Sequence, residues 1–308
     1  MNRVLFMLLV GMSFSCTTSK AAIQTTQETP IAENITAEKD TDSPDIVVIE
    51  EKAADTIIPE EIKEEKSEDV IPITDSIPKT TKEKQEPIKA VTENTSFDHK
   101  PWNILLGKYI SKDGMVNYKG FKQNGKAFRA YLTSLSNNPP KQSWSKNEKL
   151  AYWLNVYNAF TVKLIIDNYP LASIKDIKDP WDLRFFRIGK KWYTLNDVEH
   201  RMLRKMGDPR IHFGINCASY SCPALSNKAF TAQNVNQELE RLTIAFINDT
   251  SRNQISKDKI EISKIFSWFA KDFKKEGTII DFLNKYSKVT ISNTAKKSFL
   301  KYDWALNE

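Results

Sequence analysis

Residues 145–167 read SKNEKLAYWLNVYNAFTVKLIID, and this stretch decides the fold of the chain. Ser145 and Glu148 have the capping-box spacing, in which each side chain accepts a hydrogen bond from the backbone N–H of the other residue. A helix is therefore expected to begin there. It is apolar on nearly every side, which is typical of a helix buried in the middle of a domain. The sequence predicts a buried central helix.

Three polar side chains in this helix have two interpretations each. Asn155 and Asn158 need buried partners, because an unpaired amide in a core costs about 1 to 3 kcal/mol. They either brace neighbouring loops or line a pocket as binding residues. Glu148 is either a simple helix cap or a residue that orients a catalytic histidine.

Working outward from this helix, the patterning predicts an α+β fold, a single helix-rich domain over 97–308 with a small antiparallel sheet. Capping and breaker residues place a short strand after Asp113-Gly114 and a hairpin over 255–262 with its turn near Lys257-Asp258. Asp272 and Asp303 are assigned to helix faces or turns. Further helices are predicted over 128–135, 195–206, 232–248, 265–273 and 279–286.

The helix predicted over 195–206 carries a carboxylate in its apolar stripe. Steps of about 100° per residue place Glu199 within the stripe and His200 on its flank. A carboxylate that points into a core is costly unless it is paired. Glu199 is therefore expected either to form a buried structural pair or to orient a catalytic histidine, and the candidate partners are Arg210, Arg184 and His212.

The segment 208–225, DPRIHFGINCASYSCPAL, holds two of the three cysteines and one of the three histidines of the chain. Alternation over 210–216 predicts a short strand. Small residues after it let the backbone bend and expose N–H groups from Cys217 to Ser219, as an oxyanion site requires. Cys217 is then a candidate nucleophile, with His212 or His200 as its base. Strand parity puts His212 and Cys217 on opposite faces unless the chain bends after Asn216.

Three other interpretations of the cysteines remain open. Cys217 and Cys222 can form a local disulfide in an oxidising compartment, or they can be plain buried thiols. Together with His212 they can also bind zinc with a fourth ligand, although the five-residue intervals are not a well-attested spacing. We assign no metal and no cofactor.

The N-terminus predicts export. An apolar run over 4–14 follows Arg3 and is too short for a bilayer span, which needs about twenty residues, but it has the length of a signal-peptide core. Cys16 follows small residues, as in a lipoprotein signal. We therefore predict a lipoprotein signal peptide over 1–16, with acylation of Cys16, a membrane anchor and an envelope location; ordinary secretion and an uncleaved anchor are the alternatives.

Residues 17–96 contain no Gly, Phe, Trp or Tyr and carry a formal charge of −10, from 9 Lys and 19 acidic side chains. Such a segment cannot bury enough apolar surface to order itself, so it predicts a disordered acidic tether. Removing it and Arg3 from the whole-chain charge of +6 leaves +15 for 97–308. Peptidoglycan or another anionic envelope component is a candidate partner, whereas the export signal argues against nucleic acid.

Several motifs together resemble the family catalogued as domain of unknown function 547 (DUF547), over about 101–307. They are W-x-x-L-L from Trp102, D-G-x-V-x-Y from Asp113, E-K-L-A-Y-W-L-N-V-Y-N-A-F from Glu148, L-x-D-V-E-H from Leu195, the 208–225 segment, I-F-S-W-F-x-x-D-F from Ile265 and Y-D-W-A-L-N from Tyr302. The resemblance implies one globular domain of unsettled activity. The functional neighbourhood that it implies comprises Glu148, Asn155, Asn158, Glu199, His200, His212, Cys217, Ser219, Cys222 and Pro223.

We predict a cell-envelope cysteine hydrolase, remotely similar to papain-like and transglutaminase-like enzymes, that acts on amide bonds of peptides or the cell wall. Cys217 attacks, His212 or His200 is the base, and Glu199 or Glu148 orients the histidine. Arg210, Ser219, Asn155 and Asn158 are candidate binding residues. The alternative is a non-catalytic, lipid-tethered binding or scaffold module.

Overall fold

Helix α4 (Lys146–Asn168) is the buried centre of residues 96–308, the part of the chain that this computed structural model describes. The predicted capping box is confirmed, because the side chains of Ser145 and Glu148 each accept from the backbone N–H of the other. Every residue from Leu150 to Val162 is buried. A helix buried on all faces must be surrounded by other elements, and α4 therefore organises the domain.

Within residues 96–145, three helices precede α4: α1 (Lys100–Tyr109), α2 (Tyr118–Gln123) and α3 (Gly125–Asn137). Their core is aromatic. The ring of Trp102 stacks on Phe128 and Tyr131 at centroid distances of 5.6 and 5.5 Å. The Tyr152 hydroxyl of α4 donates to the carbonyl of Leu135 over 2.6 Å, which ties α3 to the central helix.

The elements after α4 are a 3₁₀ turn (Ile174–Asp176), β1 (Phe186–Ile188), β2 (Lys191–Tyr193), a π-helix (Asp197–Leu203) continued by a 3₁₀ turn (Arg204–Met206), α5 (Ile211–Gly214), α6 (Val235–Ile247), β3 (Gln254–Ile255), β4 (Lys259–Ile262), α7 (Ile265–Trp268), α8 (Ala270–Phe273), α9 (Ile279–Asn284) and β5 (Lys296–Phe299). The helix-rich α+β prediction is confirmed. Helices carry most of the core, and the strands are short.

Two small sheets are present among the described residues. β1 and β2 form an antiparallel hairpin, and the predicted hairpin over 255–262 appears as the antiparallel pair β3 and β4. β5 adds to β4 in parallel, which makes the second sheet mixed. The chain reaches β5 only after three helices, and a crossover of that length is what a parallel pairing requires.

The strand predicted over 210–216 is wrong, because residues 211–214 form the helical turn α5. Asp208 and Pro209 start this turn, with their carbonyls accepting from the N–H groups of Ile211 and His212. All four residues of α5 are buried. The alternation of the sequence was uninformative here, because a segment buried on both faces has no polar side to set its period.

The predicted signal peptide over 1–16, including Cys16, lies outside the described residues, as does the tether predicted over 17–96 apart from its last residue. Within 96–308, none of the helices has the length and apolar character needed to cross a membrane.

Candidate functional site

Asn155 and Asn158 fix the chain around the site. Asn158 donates to the carbonyl of Gly214 over 2.9 Å and accepts from the N–H of Asn216 over 2.9 Å. Asn155 holds Phe230 in the same way, with bonds of 2.7 and 3.1 Å to its carbonyl and its N–H. Each buried amide is thus satisfied by backbone. These bonds favour bracing over pocket lining for both asparagines.

The chain bends sharply after Asn216. The side-chain oxygen of Asn216 accepts from the N–H of Ala218 over 2.9 Å, and its side-chain nitrogen donates to the carbonyl of Pro223 over 2.7 Å. Ala218 has a φ of 61°, which is left-handed and costs a residue with a Cβ on the order of 1 kcal/mol. This strained turn presents Cys217 and Cys222 to each other.

The first of two polar clusters, the sulfur cluster, consists of Cys217, Ser219, Cys222 and Tyr302. Cys217 Sγ lies 3.2 Å from Ser219 Oγ, 3.4 Å from Tyr302 Oη and 2.7 Å from Cys222 Sγ. The N–H of Cys217 donates to Cys222 Sγ over 2.9 Å. Both cysteines are free; Cys217 is partly exposed and Cys222 is buried. The sulfur of Cys217, the more exposed residue of the pair, is thus surrounded by hydrogen-bonding groups.

The two thiols have opposite electrostatics. Burial raises the pKa of Cys217, but hydrogen bonds from Cys222, Ser219 and Tyr302 outweigh burial and lower the pKa to about 7. Burial and the bond to Cys217 both raise the pKa of Cys222 well above its ordinary value. Near neutral pH, Cys217 is therefore about half thiolate, whereas Cys222 remains a thiol.

The second cluster, the imidazole cluster, consists of His200, Arg204, His212 and Asp272. His212 Nε2 donates to Asp272 Oδ2 over 2.9 Å, and Arg204 Nε donates to the same oxygen over 2.6 Å. Arg204 also donates to His200 Nδ1 over 3.0 Å. The ring of buried His212 stacks on Phe269 at a centroid distance of 4.0 Å. The cluster is rigid and internally paired.

Charge in the imidazole cluster is carried by Asp272 and Arg204, and the ammonium of Lys275 lies 3.7 Å from Asp272 Oδ1. Hydrogen bonds from His212 and Arg204 overcome the effect of burial and hold the pKa of Asp272 well below its usual range. Burial lowers the pKa of His212, and burial followed by the charge of Arg204 lowers that of His200 to about 4. Both imidazoles are neutral at pH 7, so the cluster contains one carboxylate and one guanidinium.

Glu199 lies between the two clusters on the π-helix. Burial and the charge of Cys217 together raise its pKa to about 7, although a hydrogen bond with Tyr157 opposes them. Glu199 Oε1 is 4.0 Å from His212 Nδ1, and neither buried atom has a hydrogen-bond partner in the described region. A carboxyl that is half protonated near pH 7 can exchange a proton with either side of the site.

Of the three partners predicted for Glu199, the structure brings only His212 close. Arg210 pairs with Asp208 and Glu240 at 2.8 and 3.0 Å, away from the site. Arg184 donates to the carbonyl of Trp192. The buried carboxylate was correctly placed from the helical stripe, but the partner depended on the tertiary fold.

Glu148 does not lie at the site. Its carboxylate accepts from the N–H of Ser145 at the start of α4. Tyr157, beside Glu199, is nine residues further along the helix, a distance of about 14 Å at 1.5 Å per residue. The structure therefore favours the capping interpretation of Glu148 over a role in orienting a histidine.

Cys217 is not hydrogen-bonded to a histidine within residues 96–308, because its bonds run to the sulfur cluster. The backbone amides expected to form an oxyanion site are also engaged. The N–H of Cys217 donates to Cys222, that of Ala218 donates to Asn216, and that of Ser219 lowers the pKa of Cys217. These amides support the thiolate and the turn.

The described residues contain no group of three or more His, Cys, Asp or Glu side chains that could hold a metal ion. His212 turns its Nε2 to Asp272 instead of joining the two sulfurs. The structure thus offers no support for the zinc interpretation.

Sequence reasoning missed Asp272 and Tyr302, which complete the two clusters. Both lie in motifs that carried the family resemblance, I-F-S-W-F-x-x-D-F and Y-D-W-A-L-N. Their distances from Cys217 along the chain hid their roles. The motifs themselves were the signal that could have identified them.

A cavity of about 310 Å³ opens beside Cys222. Asp113, Tyr220 and Arg252 contribute polar groups to its wall. The guanidinium of Arg252 lies 4.2 Å from the centre of the Tyr220 ring. The wall of the cavity beside Cys222 therefore contains both acidic and basic side chains.

Residues 141–247 match the model of a family described as "Protein of unknown function, DUF547". The match supports the resemblance and covers α4, Glu199 and both cysteines, whereas Asp272 and Tyr302 lie beyond it. No curated protein and no solved structure matches the chain.

Proposed function

We propose that this protein is a cell-envelope lipoprotein that hydrolyses amide bonds of peptide or cell-wall substrates with Cys217 as the nucleophile. One observation carries the proposal: three side-chain donors converge on the sulfur of Cys217, the more exposed residue of the cysteine pair. They lower the pKa of this thiol to about 7 although burial opposes them. A thiolate is the reactive form of cysteine, so the site is prepared for attack on a carbonyl.

The donors around sulfur also suit the transition state. As Cys217 attacks, negative charge moves from sulfur to the carbonyl oxygen about 3 Å away. Tyr302 Oη and Ser219 Oγ lie 2.9 Å apart and both reach the sulfur, so each hydroxyl can turn its single proton from sulfur to this oxygen. Burial, together with the nearby thiols, raises the pKa of Tyr302 well above its ordinary value, which keeps its hydroxyl protonated. The hydroxyls take the role that backbone amides were expected to fill.

Glu199 is the proposed acid and base. With a pKa of about 7, it can give a proton to the leaving amine and then accept one from the water that hydrolyses the thioester. His212 is a positioning residue, because its Nε2 is held by Asp272 while its Nδ1 faces Glu199. This assignment moves the base from histidine, as predicted from the sequence, to the carboxyl between the clusters.

The proposed location follows from the sequence of residues 1–96. An acylated Cys16 anchors the chain in a membrane, and the eighty residues 17–96 separate this anchor from the domain. The domain carries +15 over 97–308, which attracts anionic envelope polymers such as peptidoglycan and its attached acids. The site then acts at a distance from its anchor.

A non-catalytic binding or scaffold module is the second candidate. It is favoured by the imidazole cluster, whose groups are hydrogen-bonded to one another and not to Cys217. Under this alternative the domain binds an envelope polymer through its charge, and Cys217 is a spectator.

The test is release of new amino groups from purified cell-wall peptides by the full chain, compared with Cys217→Ala. A matched variant, Ser226→Ala, removes a buried hydroxyl outside the sulfur cluster. We expect release by the wild type and by Ser226→Ala, and at least a 100-fold loss in Cys217→Ala. Equal and negligible release by all three proteins, with retained binding to the polymer, would favour the module.

A further inference from the structure

Cys222 has no part in the proposed amide hydrolysis beyond donating to Cys217, yet it is placed for chemistry of its own. Its sulfur lies 2.7 Å from Cys217 Sγ, and both cysteines are free. Cys217 is partly exposed, whereas Cys222 is 7% exposed and is shielded from bulky reagents. Cys217 can thus meet a substrate more readily than Cys222, whose sulfur lies against Cys217 and beside the cavity.

The backbone holds this pair in place. The turn between the cysteines is tied to the C-terminal segment by a bond of 2.6 Å from Tyr220 N–H to the carbonyl of Ala305, and one of 3.1 Å from Ser221 N–H to that of Asp303. Ser221 Oγ accepts in return from the N–H of Asp303 over 2.8 Å. Because these bonds fix the middle of the turn, the two sulfurs stay within reach of each other through a reaction at either one.

We propose that Cys217 and Cys222 form a thiol–disulfide exchange pair, in which Cys217 attacks the disulfide of a small thiol compound and Cys222 resolves the adduct. The proposal shares the nucleophile of the proposed hydrolase but does not depend on amide hydrolysis. Its substrate class is a small disulfide, because the partial exposure of Cys217 admits a slender reagent more readily than a folded protein.

The chemistry balances in two steps. The Cys217 thiolate attacks one sulfur of RS–SR, forms Cys217–S–SR and expels RS⁻. The proton of Cys222 passes to this thiolate; Cys222 sulfur then attacks Cys217 sulfur, forms the Cys217–Cys222 disulfide and expels a second RS⁻. The substrate disulfide gains two electrons and the pair loses two. A free thiol returns the pair to its dithiol form by the same steps in reverse.

The donor pattern supports this order of events. The attacking sulfur accepts from Ser219 and Tyr302, which stabilise it as a thiolate and again as a leaving group in the reverse step. Cys222 instead accepts the backbone N–H of Cys217 over 2.9 Å, which supports the charge that forms on Cys222 when it loses its proton. The stages of exchange therefore use different donors.

The test is reaction of the full chain with oxidised glutathione at pH 7.5, followed by intact-mass measurement and by counting of the released thiol. Every protein carries Cys16→Ser, so that only the pair reacts. We expect the wild-type pair to release about two thiols per chain and to end as an internal disulfide. We expect Cys222→Ser to release about one thiol and to retain glutathione on Cys217. We expect Cys217→Ser to react at least tenfold more slowly.

The proposal is overturned if the wild-type pair stops at the mixed disulfide, or if Cys217→Ser reacts as fast as the wild type. The wild-type stoichiometry decides the first point without any variant, so a folding defect in one variant cannot leave the question open. Amide hydrolysis releases amines and no thiol. Its failure with normal exchange would reject only the proposed function, and the converse result would reject only the exchange pair.

Discussion

The imidazole and sulfur clusters lie on either side of Glu199, and they satisfy buried polar groups in different ways. In the imidazole cluster, Asp272 is matched by the full charge of Arg204 and by an imidazole donor. In the sulfur cluster, no cation contacts Cys217 among the described residues, and its donors are neutral hydroxyl, thiol and amide groups. The first arrangement neutralises charge, whereas the second leaves a partly exposed anion.

The comparison distinguishes charged groups that stabilise the fold from a charged group that can react with a substrate. A buried ion pair resists change, because removing one partner strands the other charge in a medium of low polarity. A thiolate held by neutral donors keeps its charge available to a substrate, and the same donors can follow that charge to a new atom. Mutations in the imidazole cluster should therefore lower stability, whereas mutations in the sulfur cluster should change the reactivity of Cys217.

The largest expected effect is on stability, from Asp272→Ala. The variant leaves Arg204 and His212 without their shared acceptor, and we expect a loss of about 3 kcal/mol in the free energy of unfolding at pH 7. The pKa of Asp272 is depressed in the folded protein, so its contribution is complete above the unfolded value near 4 and is lost progressively as the pH falls from there through the lower folded value. Urea unfolding at pH 7 and pH 3 measures the first part of this loss.

Asp258→Ala, at the exposed turn of the β3–β4 hairpin, is the matched control for this prediction, and we expect it to change stability by less than about 0.5 kcal/mol. An Asp272→Ala protein as stable as the control at pH 7 would mean that the imidazole cluster is not a structural ion pair.

The second prediction concerns Glu199→Gln and the pH dependence of stability. A folded-state pKa raised to about 7 means that stability from the protonated carboxyl is complete below about pH 4.5 and is lost as the pH rises to about 7. The loss is on the order of 3 kcal/mol, at about 1.4 kcal/mol per pKa unit. We expect Glu199→Gln to remove this slope between pH 5 and pH 8, as measured by urea unfolding.

Glu240→Gln is the control for this slope, since Glu240 is half-exposed and pairs with Arg210 at the surface. If the stability of both variants depends on pH as that of the wild type does, the pKa of Glu199 in the folded protein is not raised to about 7.

A smaller effect is expected from Asn158→Ala, which leaves the carbonyl of Gly214 and the N–H of Asn216 without partners. We expect a loss of about 2 kcal/mol in the free energy of unfolding. We also expect slower alkylation of Cys217, because the turn that presents the sulfur loosens. Asn168→Ala, at the C-terminal end of the same helix, supplies the comparison. If Cys217 of the destabilised Asn158→Ala protein is alkylated at the wild-type rate, the hydrogen bonds of Asn158 do not position the thiol.

The smallest expected effect comes from Tyr302→Phe, which removes one of the donors to Cys217. We expect the pKa of Cys217 to rise by about one unit, equivalent to about 1.4 kcal/mol, with little change in stability. The pH at which alkylation reaches half its maximal rate reports this shift. Tyr118→Phe is the control, because the Tyr118 hydroxyl donates to Asn307 and not to sulfur. If the two variants have the same midpoint pH of alkylation, the Tyr302 hydroxyl does not stabilise the Cys217 thiolate.

The sequence predicted the central helix of the fold and one buried carboxyl of the site. The capping box and the unbroken apolar pattern of α4 predicted the centre of the fold, since these signals act within one element. The stripe over 195–206 correctly indicated a buried Glu199, although the helix proved to be a π-helix with a 3₁₀ end. Local signals of this kind survive tertiary packing.

What the sequence could not predict depended on distant segments. Asp272 and Tyr302 reach the site through α8 and the C-terminal segment, and no local spacing links either residue to Cys217. The strand predicted over 210–216 failed because α5 is buried on all sides. The assignment of His212 or His200 as the base rested on residue type alone, and the structure shows that both rings are held by charged groups on α8 and the 3₁₀ turn.

The central claim, that Cys217 is an accessible thiolate held by neutral donors, is tested most directly by the rate of its alkylation with iodoacetamide as a function of pH. The account predicts a midpoint near pH 7, label on Cys217 and not on Cys222, and a rate near neutrality about fivefold to tenfold above that of free cysteine. A midpoint at or above about 8.5, or label that appears first on Cys222, would contradict it.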